Sequence, residues 1–78
     1  MLLHANVRLW QREEDGSYKA EIDGFSCHVT WKPEQAGERR GFLWKVEGSD
    51  GVVAEADGVE EEIEIAMAHA ERVARRAR

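Results

Sequence analysis

The sequence predicts a small α+β domain: a four- or five-stranded antiparallel β-meander with one C-terminal α-helix packed on one face. Two observations predict this fold class. Apolar residues alternate with polar ones through most of residues 7–56, as in half-buried strands, and then recur at helical spacing over residues 58–77. A chain of 78 residues is long enough for one core and too short for two, so residues 1–78 are predicted to form a single domain.

The alternating region divides into five predicted strands separated by polar turns. In the first strand, Val7 and Leu9 are expected to point toward the core, with Arg8 and Trp10 on the opposite face. The segment 32–40 contains the only proline, Pro33, and is expected to be an exposed loop. The strands are predicted at about residues 5–12, 17–22, 25–32, 41–47 and 52–56.

The dipeptide Asp23-Gly24 suits a two-residue type I′ hairpin, because both positions of that turn need a positive φ. Such a hairpin places every apolar side chain of its two strands on one face of the sheet. The alternative is one long strand over residues 18–31 with a bulge at Gly24. The hairpin register pairs Ile22 with Phe25, Ala20 with Cys27, and Tyr18 with Val29.

A helix is predicted over about residues 58–77. Asp57 is a suitable N-cap, and Glu60 three residues later completes a capping-box pattern. Glutamates concentrate at the positive end of the helix dipole and arginines at the negative end. The apolar stripe is Ile63, Ala66, Met67, Ala70, Val73, Ala74 and Ala77, and its expected large partners on the sheet are Tyr18, Phe25, Trp31, Phe42 and Trp44.

Charge and cysteine content limit the classes of function. A formal net charge of −5 disfavours proteins that hold nucleic acid, or an anionic membrane, through bulk positive charge. Cys27 is the only cysteine, which excludes an intramolecular disulfide and a cysteine-based zinc site. The N-terminus lacks the pattern of a signal peptide and no apolar run is long enough to span a membrane, so a cytoplasmic location is expected.

No residue pattern indicates catalysis, a cofactor or a metal. His4, His28 and His69 lack the spacing of metal ligands, and the acidic run 60–64 lacks the features of a calcium loop. Cys27 and His28 are adjacent in a strand, so their side chains point to opposite faces and cannot act as a nucleophile and its base. Phosphate-binding glycine motifs are absent from the sequence. The chain is therefore expected not to be an enzyme.

The outer face of the sheet is the predicted interaction surface. An aromatic ring among cations could contact a protein, or stack a base beside a phosphate backbone, although Glu21, Asp23 and Glu47 are expected on the same face and would neutralise part of the charge. The candidate residues are Arg8, Trp10, Arg12, Lys19, Leu43 and Lys45.

Two segments resemble a group of small bacterial and phage-encoded proteins of unassigned function. They are Gly16-Ser17-Tyr18-Lys19-Ala20 and the small-residue segment Ala54-Glu55-Ala56-Asp57-Gly58 that leads into an alanine-rich helix. The chain is also distantly similar to the AP2-like arm-binding domain of phage integrases, which packs three strands on one helix. That likeness implies a DNA-reading sheet with Arg8, Trp10 and Lys19 as candidates, but this chain differs in its net acidity and additional strands.

Two functions follow as expectations. The first is a non-enzymatic accessory or protein-interaction module that binds another protein, or a second copy of itself, through the open sheet face. It predicts a homodimer, or an apolar patch around Trp10 and Leu43. The alternative is a nucleic-acid-binding module that uses Arg8, Trp10, Arg12, Lys19 and Lys45.

Overall fold

The computed structural model describes residues 5–77 and contains one five-stranded antiparallel sheet in the order β1-β2-β3-β4-β5, with one α-helix on one face. The predicted α+β meander is therefore confirmed. His4, one of the three histidines considered as metal ligands, lies outside the described residues. The elements are β1 (Gln11–Arg12), β2 (Tyr18–Ile22), β3 (Phe25–Lys32), β4 (Gly41–Gly48), β5 (Gly51–Glu55) and α1 (Ile63–Arg76).

The β2–β3 hairpin has the predicted register. Asp23 and Gly24 both adopt a positive φ, of 52° and 86°, as a type I′ turn requires. The observed pairs are Ile22 with Phe25, Ala20 with Cys27, and Tyr18 with Val29, so the alternative of one long bulged strand is wrong.

The core lies between α1 and the face of the sheet that carries the apolar residues of β2, β3 and β4. Cys27, Val29 and Val46 are fully buried beneath a helix stripe in which Ala66, Ala70 and Ala74 are also fully buried. Alanine has no side chain beyond Cβ, so the helix approaches the sheet closely and the bulkier strand residues fill the space between them. Burial of each valine side chain contributes about 1.5–3 kcal/mol of hydrophobic stabilisation. The predicted stripe is confirmed from Ile63 to Ala74, whereas Ala77 lies outside the core and Ala68 and Glu71 are buried without having been predicted.

The helix begins later than predicted. It starts at Ile63, with Glu62 as N-cap, and no capping side-chain hydrogen bond is made. The segment before it continues along the edge of β4 instead: the Ala56 N–H donates to the Trp44 carbonyl at 2.9 Å, and Glu60 exchanges two backbone hydrogen bonds with Phe42. The prediction of Asp57 as N-cap, with a capping box to Glu60, is wrong because these backbone groups find partners in the sheet.

This extension brings Val59 and Glu60 against Gly41 at the start of β4. A Cβ placed on Gly41 would lie 2.7 Å from the Glu60 carbonyl oxygen and 2.8 Å from the Val59 Cβ. Such distances are shorter than van der Waals contact, so only glycine fits here without displacing backbone. The close approach explains a glycine at the first residue of a central strand.

The first predicted strand is largely replaced by a 3₁₀-helix. Val7–Leu9 form this turn, and only Gln11–Arg12 pair with β2. Val7 and Leu9 are 56% and 40% exposed, whereas Trp10 is only 8% exposed and belongs to the core. The predicted inward direction of Val7 and Leu9 and outward direction of Trp10 are therefore wrong. A 3₁₀-turn repeats every three residues, so the side chains of this segment do not alternate as in a strand.

Trp10 is drawn into the core by a buried carboxylate on the helix. Glu71 is 2% exposed. Its Oε2 accepts a hydrogen bond from the Trp10 indole Nε1 at 3.0 Å, and its two oxygens accept from the Asn6 backbone N–H at 3.1 and 2.9 Å. The guanidinium of Arg75 lies 3.5 Å from Oε1 and is half-exposed. We call the contacts of Glu71 with Asn6 and Trp10 the Glu71 clasp. It fastens the N-terminal segment to α1.

We expect Glu71→Gln to lower the free energy of unfolding by about 1–3 kcal/mol, because its amide NH₂ would face a buried N–H donor of Asn6 or Trp10. Urea denaturation measures the loss, and amide hydrogen exchange at Asn6 should accelerate. Glu64→Gln is the control, since Glu64 is exposed on the same helix and its replacement should change stability by less than about 0.5 kcal/mol. Equal stability of the two variants would show that the clasp contributes nothing.

We expect Gly41→Ala to destabilise the protein by about 1–3 kcal/mol, because the added methyl group overlaps the backbone of Glu60. Gly58→Ala is the matched control, since a Cβ at Gly58 meets no atom within 4 Å. Thermal unfolding of the two variants compares them directly. A Gly41→Ala melting temperature at or above that of Gly58→Ala would contradict the proposed close approach.

Candidate functional site

The structure does not assemble the predicted interaction surface. Lys19 and Lys45 lie on the outer sheet face, each opposite His28, and Leu43 lies there opposite Thr30. Arg12 is opposite Tyr18 and so belongs to the helix side of the sheet. Arg8 is exposed on the 3₁₀-turn, and Trp10 is buried. The outer face therefore carries Lys19, Leu43 and Lys45 without the aromatic ring expected beside them.

The cations of the outer face are paired with carboxylates. Lys45 Nζ lies 3.1 Å from Glu47 Oε1, and His28 Nε2 lies 3.7 Å from the same oxygen. Lys19 Nζ is 3.7 Å from Glu21 Oε1, which also accepts a hydrogen bond from a serine hydroxyl of β3. These local pairs leave little unbalanced positive charge, as predicted for Glu21 and Glu47.

The apolar patch expected around Trp10 and Leu43 is absent from the described part of the outer face. Leu43 is half-buried among polar neighbours. Val52, opposite Glu47 on the edge strand β5, is 54% exposed, and Leu9, which is 40% exposed, borders the opposite edge beside Lys19. The outer face is thus a mainly hydrophilic surface.

Trp31, near the end of β3, is an exposed aromatic residue that lies in a concave region. Strand alternation places it on the helix side, opposite Phe42, and the two rings meet edge to face with centroids 5.0 Å apart. Trp31 nevertheless remains 52% exposed. Its expected role as a buried partner of the alanine stripe is wrong, because α1 begins at Ile63 and does not extend over this end of the sheet.

Trp31 borders an open depression of about 630 Å³ between the β3–β4 loop and the segment before the helix. The loop is fixed by a tight turn in which the Glu38 N–H donates to the Gln35 carbonyl at 2.9 Å. An ion pair of 2.9 Å between Lys32 and Glu38 ties the loop to β3. The other lining residues are Glu34, Gly37, Arg39, Arg40, Gly41 and Glu61.

Carboxylates and guanidinium groups surround the indole of Trp31. Arg39 is bound to Glu61 at 2.7 Å, and both side chains are largely exposed. Arg40 makes no ion pair with any residue in the range 5–77. Tryptophan and arginine are the side chains most enriched at energetically dominant positions of protein interfaces. We call Trp31 together with this depression the Trp31 surface.

A signal in the sequence could have identified Trp31. It is followed by Lys32-Pro33, so the strand ends directly after it, and the loop 33–40 offers no large apolar side chain to cover the indole. The loop contains only Ala36 as an apolar residue other than proline and glycine. An aromatic residue at the end of a strand, next to a polar loop, has no local source of burial.

The potentially reactive groups lie apart from the Trp31 surface. Cys27 is fully buried, with its thiol 3.9 Å from the Ala70 carbonyl oxygen, and burial, reinforced by the charges of Glu21 and Glu71, raises its pKa to about 11. His69 stacks on Trp44 with ring centroids 6.1 Å apart. Residues 5–77 contain no cluster of three or more metal-ligating side chains, and none of their helices is long and apolar enough to cross a membrane.

Comparisons of the chain with protein-family models, with curated proteins and with solved structures find no match. The resemblances to small phage-encoded proteins and to integrase arm-binding domains therefore stay predictions.

We expect the Cys27 thiol to be inert toward thiol reagents in the native protein near pH 8, because it stays protonated and out of solvent. The unfolded chain ionises this thiol at a lower pKa, so it releases its proton first and stability falls as pH rises from about 9 to about 11. Labelling with and without urea, and unfolding from pH 8 to 11, measure both effects. Cys27→Ala should remove this pH dependence, and rapid native labelling at pH 8 would contradict the burial.

Proposed function

We propose that this chain is a non-enzymatic protein-interaction module, and that the Trp31 surface is its contact site. The observation that carries the proposal is a tryptophan that is 52% exposed beside a depression of about 630 Å³. A large indole left in water costs hydrophobic free energy that a partner can recover, and it loses little conformational entropy on binding.

The surroundings of Trp31 support a site with a defined shape. The loop turn at Gln35 and Glu38 and the ion pairs to Lys32 and Glu61 position the polar rim around the indole. A rim of polar groups around an apolar anchor is the usual anatomy of a protein interface. Partner binding would desolvate the indole at the centre and leave the charged pairs at the edge.

The open sheet face supports this role less well than the sequence suggests. Its cations are paired with Glu21 and Glu47, and Trp10 is buried on the other side of the sheet. An accessory protein acting through this face would have Leu43 and Val52 as its exposed or half-exposed large apolar contacts. The proposal therefore moves the contact site to Trp31.

The nucleic-acid alternative has less support from this geometry. Its five residues Arg8, Trp10, Arg12, Lys19 and Lys45 do not share one surface. Around Trp31, the carboxylates of Glu34, Glu38 and Glu61 balance the nearby lysine and arginine side chains, which leaves no excess of positive charge to attract a phosphate backbone.

In this proposal the module acts in the cytoplasm. Cys27 is a buried free thiol, and the fold is held together without a disulfide. Such a chain suits a reducing compartment.

Site-specific photo-crosslinking tests the proposal. A benzoylphenylalanine at Gln35, on the rim of the Trp31 surface, should yield crosslinked protein, either with a second copy or with a protein of a source-cell extract. The yield should fall at least about tenfold when Trp31→Ala is added, because the apolar anchor is lost. The same probe at Asp50, in the exposed β4–β5 turn, is the control.

Circular dichroism must show that the Trp31→Ala variant remains folded, and Trp31→Tyr should retain most of the yield because it keeps a ring. Crosslinking at Gln35 that matches the Asp50 control, or that persists in Trp31→Ala, would overturn the proposal. A product that nuclease treatment removes would favour the nucleic-acid alternative instead.

A further inference from the structure

Helix α1 separates two clusters of opposite charge. Its C-terminal end carries exposed arginines, and its N-terminal end adjoins the Trp31 surface, where carboxylates outnumber cations. The basic pole is Arg72, Arg75 and Arg76, and the acidic pole is Glu34, Glu38, Glu61, Glu62 and Glu64.

The two poles cannot satisfy each other within one molecule. Fourteen helical residues span about 21 Å, which exceeds the Debye length of about 8 Å at physiological ionic strength. Arg75 is engaged by Glu71, but Arg72 and Arg76 form no ion pair with any residue between 5 and 77. These two arginines lie four positions apart on one helix face, where like charges repel each other.

A guanidinium group is the ligand that the Trp31 surface fits best. It can stack on the exposed indole face while its N–H groups donate to carboxylates at the rim. Glu34 is exposed there and forms no ion pair within residues 5–77. Arg39 is already neutralised by Glu61. Arg40 has no ion pair within residues 5–77 and would oppose an incoming cation, but the carboxylates of Glu34, Glu62 and Glu64 are also unpaired in that range and outnumber it.

We propose that the partner of the Trp31 surface is a second copy of this chain, whose Arg72 and Arg76 dock against Trp31 and the acidic pole. This inference rests on the proposed function and names its partner. The two surfaces are complementary in charge: the same molecule displays a basic helix face, whose Arg72 and Arg76 have no ion pair within residues 5–77, and an exposed aromatic surface rimmed with carboxylates.

The contact is head-to-tail, because it joins two different surfaces of the same chain. Each docked pair leaves one basic pole and one Trp31 surface free, so assembly does not stop at the dimer unless a ring closes. Isologous pairing, by contrast, would stop at two copies. The two modes can be distinguished by complementation.

The experiment measures mass by sedimentation velocity from about 10 μM to about 1 mM protein in low salt. Wild type should form species larger than a dimer as concentration rises. Trp31→Ala, and separately the double variant Arg72→Gln/Arg76→Gln, should each stay at the 8.9 kDa monomer mass. Lys19→Gln/Lys45→Gln is the matched control, because it removes the same charge from the outer sheet face, on the side away from α1, and should still assemble.

Mixing the two defective variants supplies the decisive test. One retains a basic pole and the other retains a Trp31 surface, so a single intact contact forms and the mixture should reach a dimer and no further. Wild-type assembly should also weaken at least about tenfold in about 0.5 M salt, because opposite local charges are screened. Circular dichroism checks that each variant is folded.

A wild-type chain that stays monomeric at about 1 mM would overturn this inference. So would assembly that survives Arg72→Gln/Arg76→Gln, defective variants that fail to complement, or association that strengthens with salt. Failure of this inference and failure of the proposed function are distinguishable outcomes. If the inference fails but crosslinking from Gln35 to another protein still depends on Trp31, the interaction module remains and only its partner changes.

Discussion

The fold depends on how one buried carboxylate obtains its hydrogen bonds. Glu71 lies inside a helix face that otherwise consists of alanines and other apolar residues, where an unpartnered carboxylate would be strongly destabilising. Its donors come from the other end of the chain, as the Asn6 N–H and the Trp10 indole. The requirement to satisfy Glu71 therefore sets the path of the N-terminal segment and turns Trp10 into the core.

The local features of the fold could be predicted from the sequence. The Asp23-Gly24 turn and the alternation around it determine the β2–β3 register, and the alanine stripe identifies the buried face of the helix. The incorrect predictions concern residues whose positions depend on contacts with residues that are distant in the sequence. The position of Trp10 is set by its hydrogen bond to Glu71, sixty-one positions away in the sequence. The helix starts late because Glu60 pairs with Phe42. Neither partner is visible in a local pattern.

The candidate site differs from the predicted one for the same reason. Strand alternation is a local pattern, so it correctly predicts the outer face for Lys19, Leu43 and Lys45. It does not predict the burial of Trp10, which depends on a distant contact. Alternation predicts Trp31 in the core, whereas its exposure depends on where the helix begins in space. The outer face is hydrophilic, and the indole of Trp31 is exposed at one end of the inner face. The candidate contact site is therefore the Trp31 surface and not the outer face.

The Glu71 clasp also has a consequence for the order of folding during synthesis. Residues 6 and 71 are in contact, so the clasp cannot close until residue 71 has left the ribosome. The β2–β3 hairpin needs only neighbouring residues and can form much earlier, since short loops close with little entropic cost. In the nascent chain, the indole of Trp10 therefore has no carboxylate partner until α1 has been synthesised. Completion of the core waits for α1, long after the β2–β3 hairpin can form.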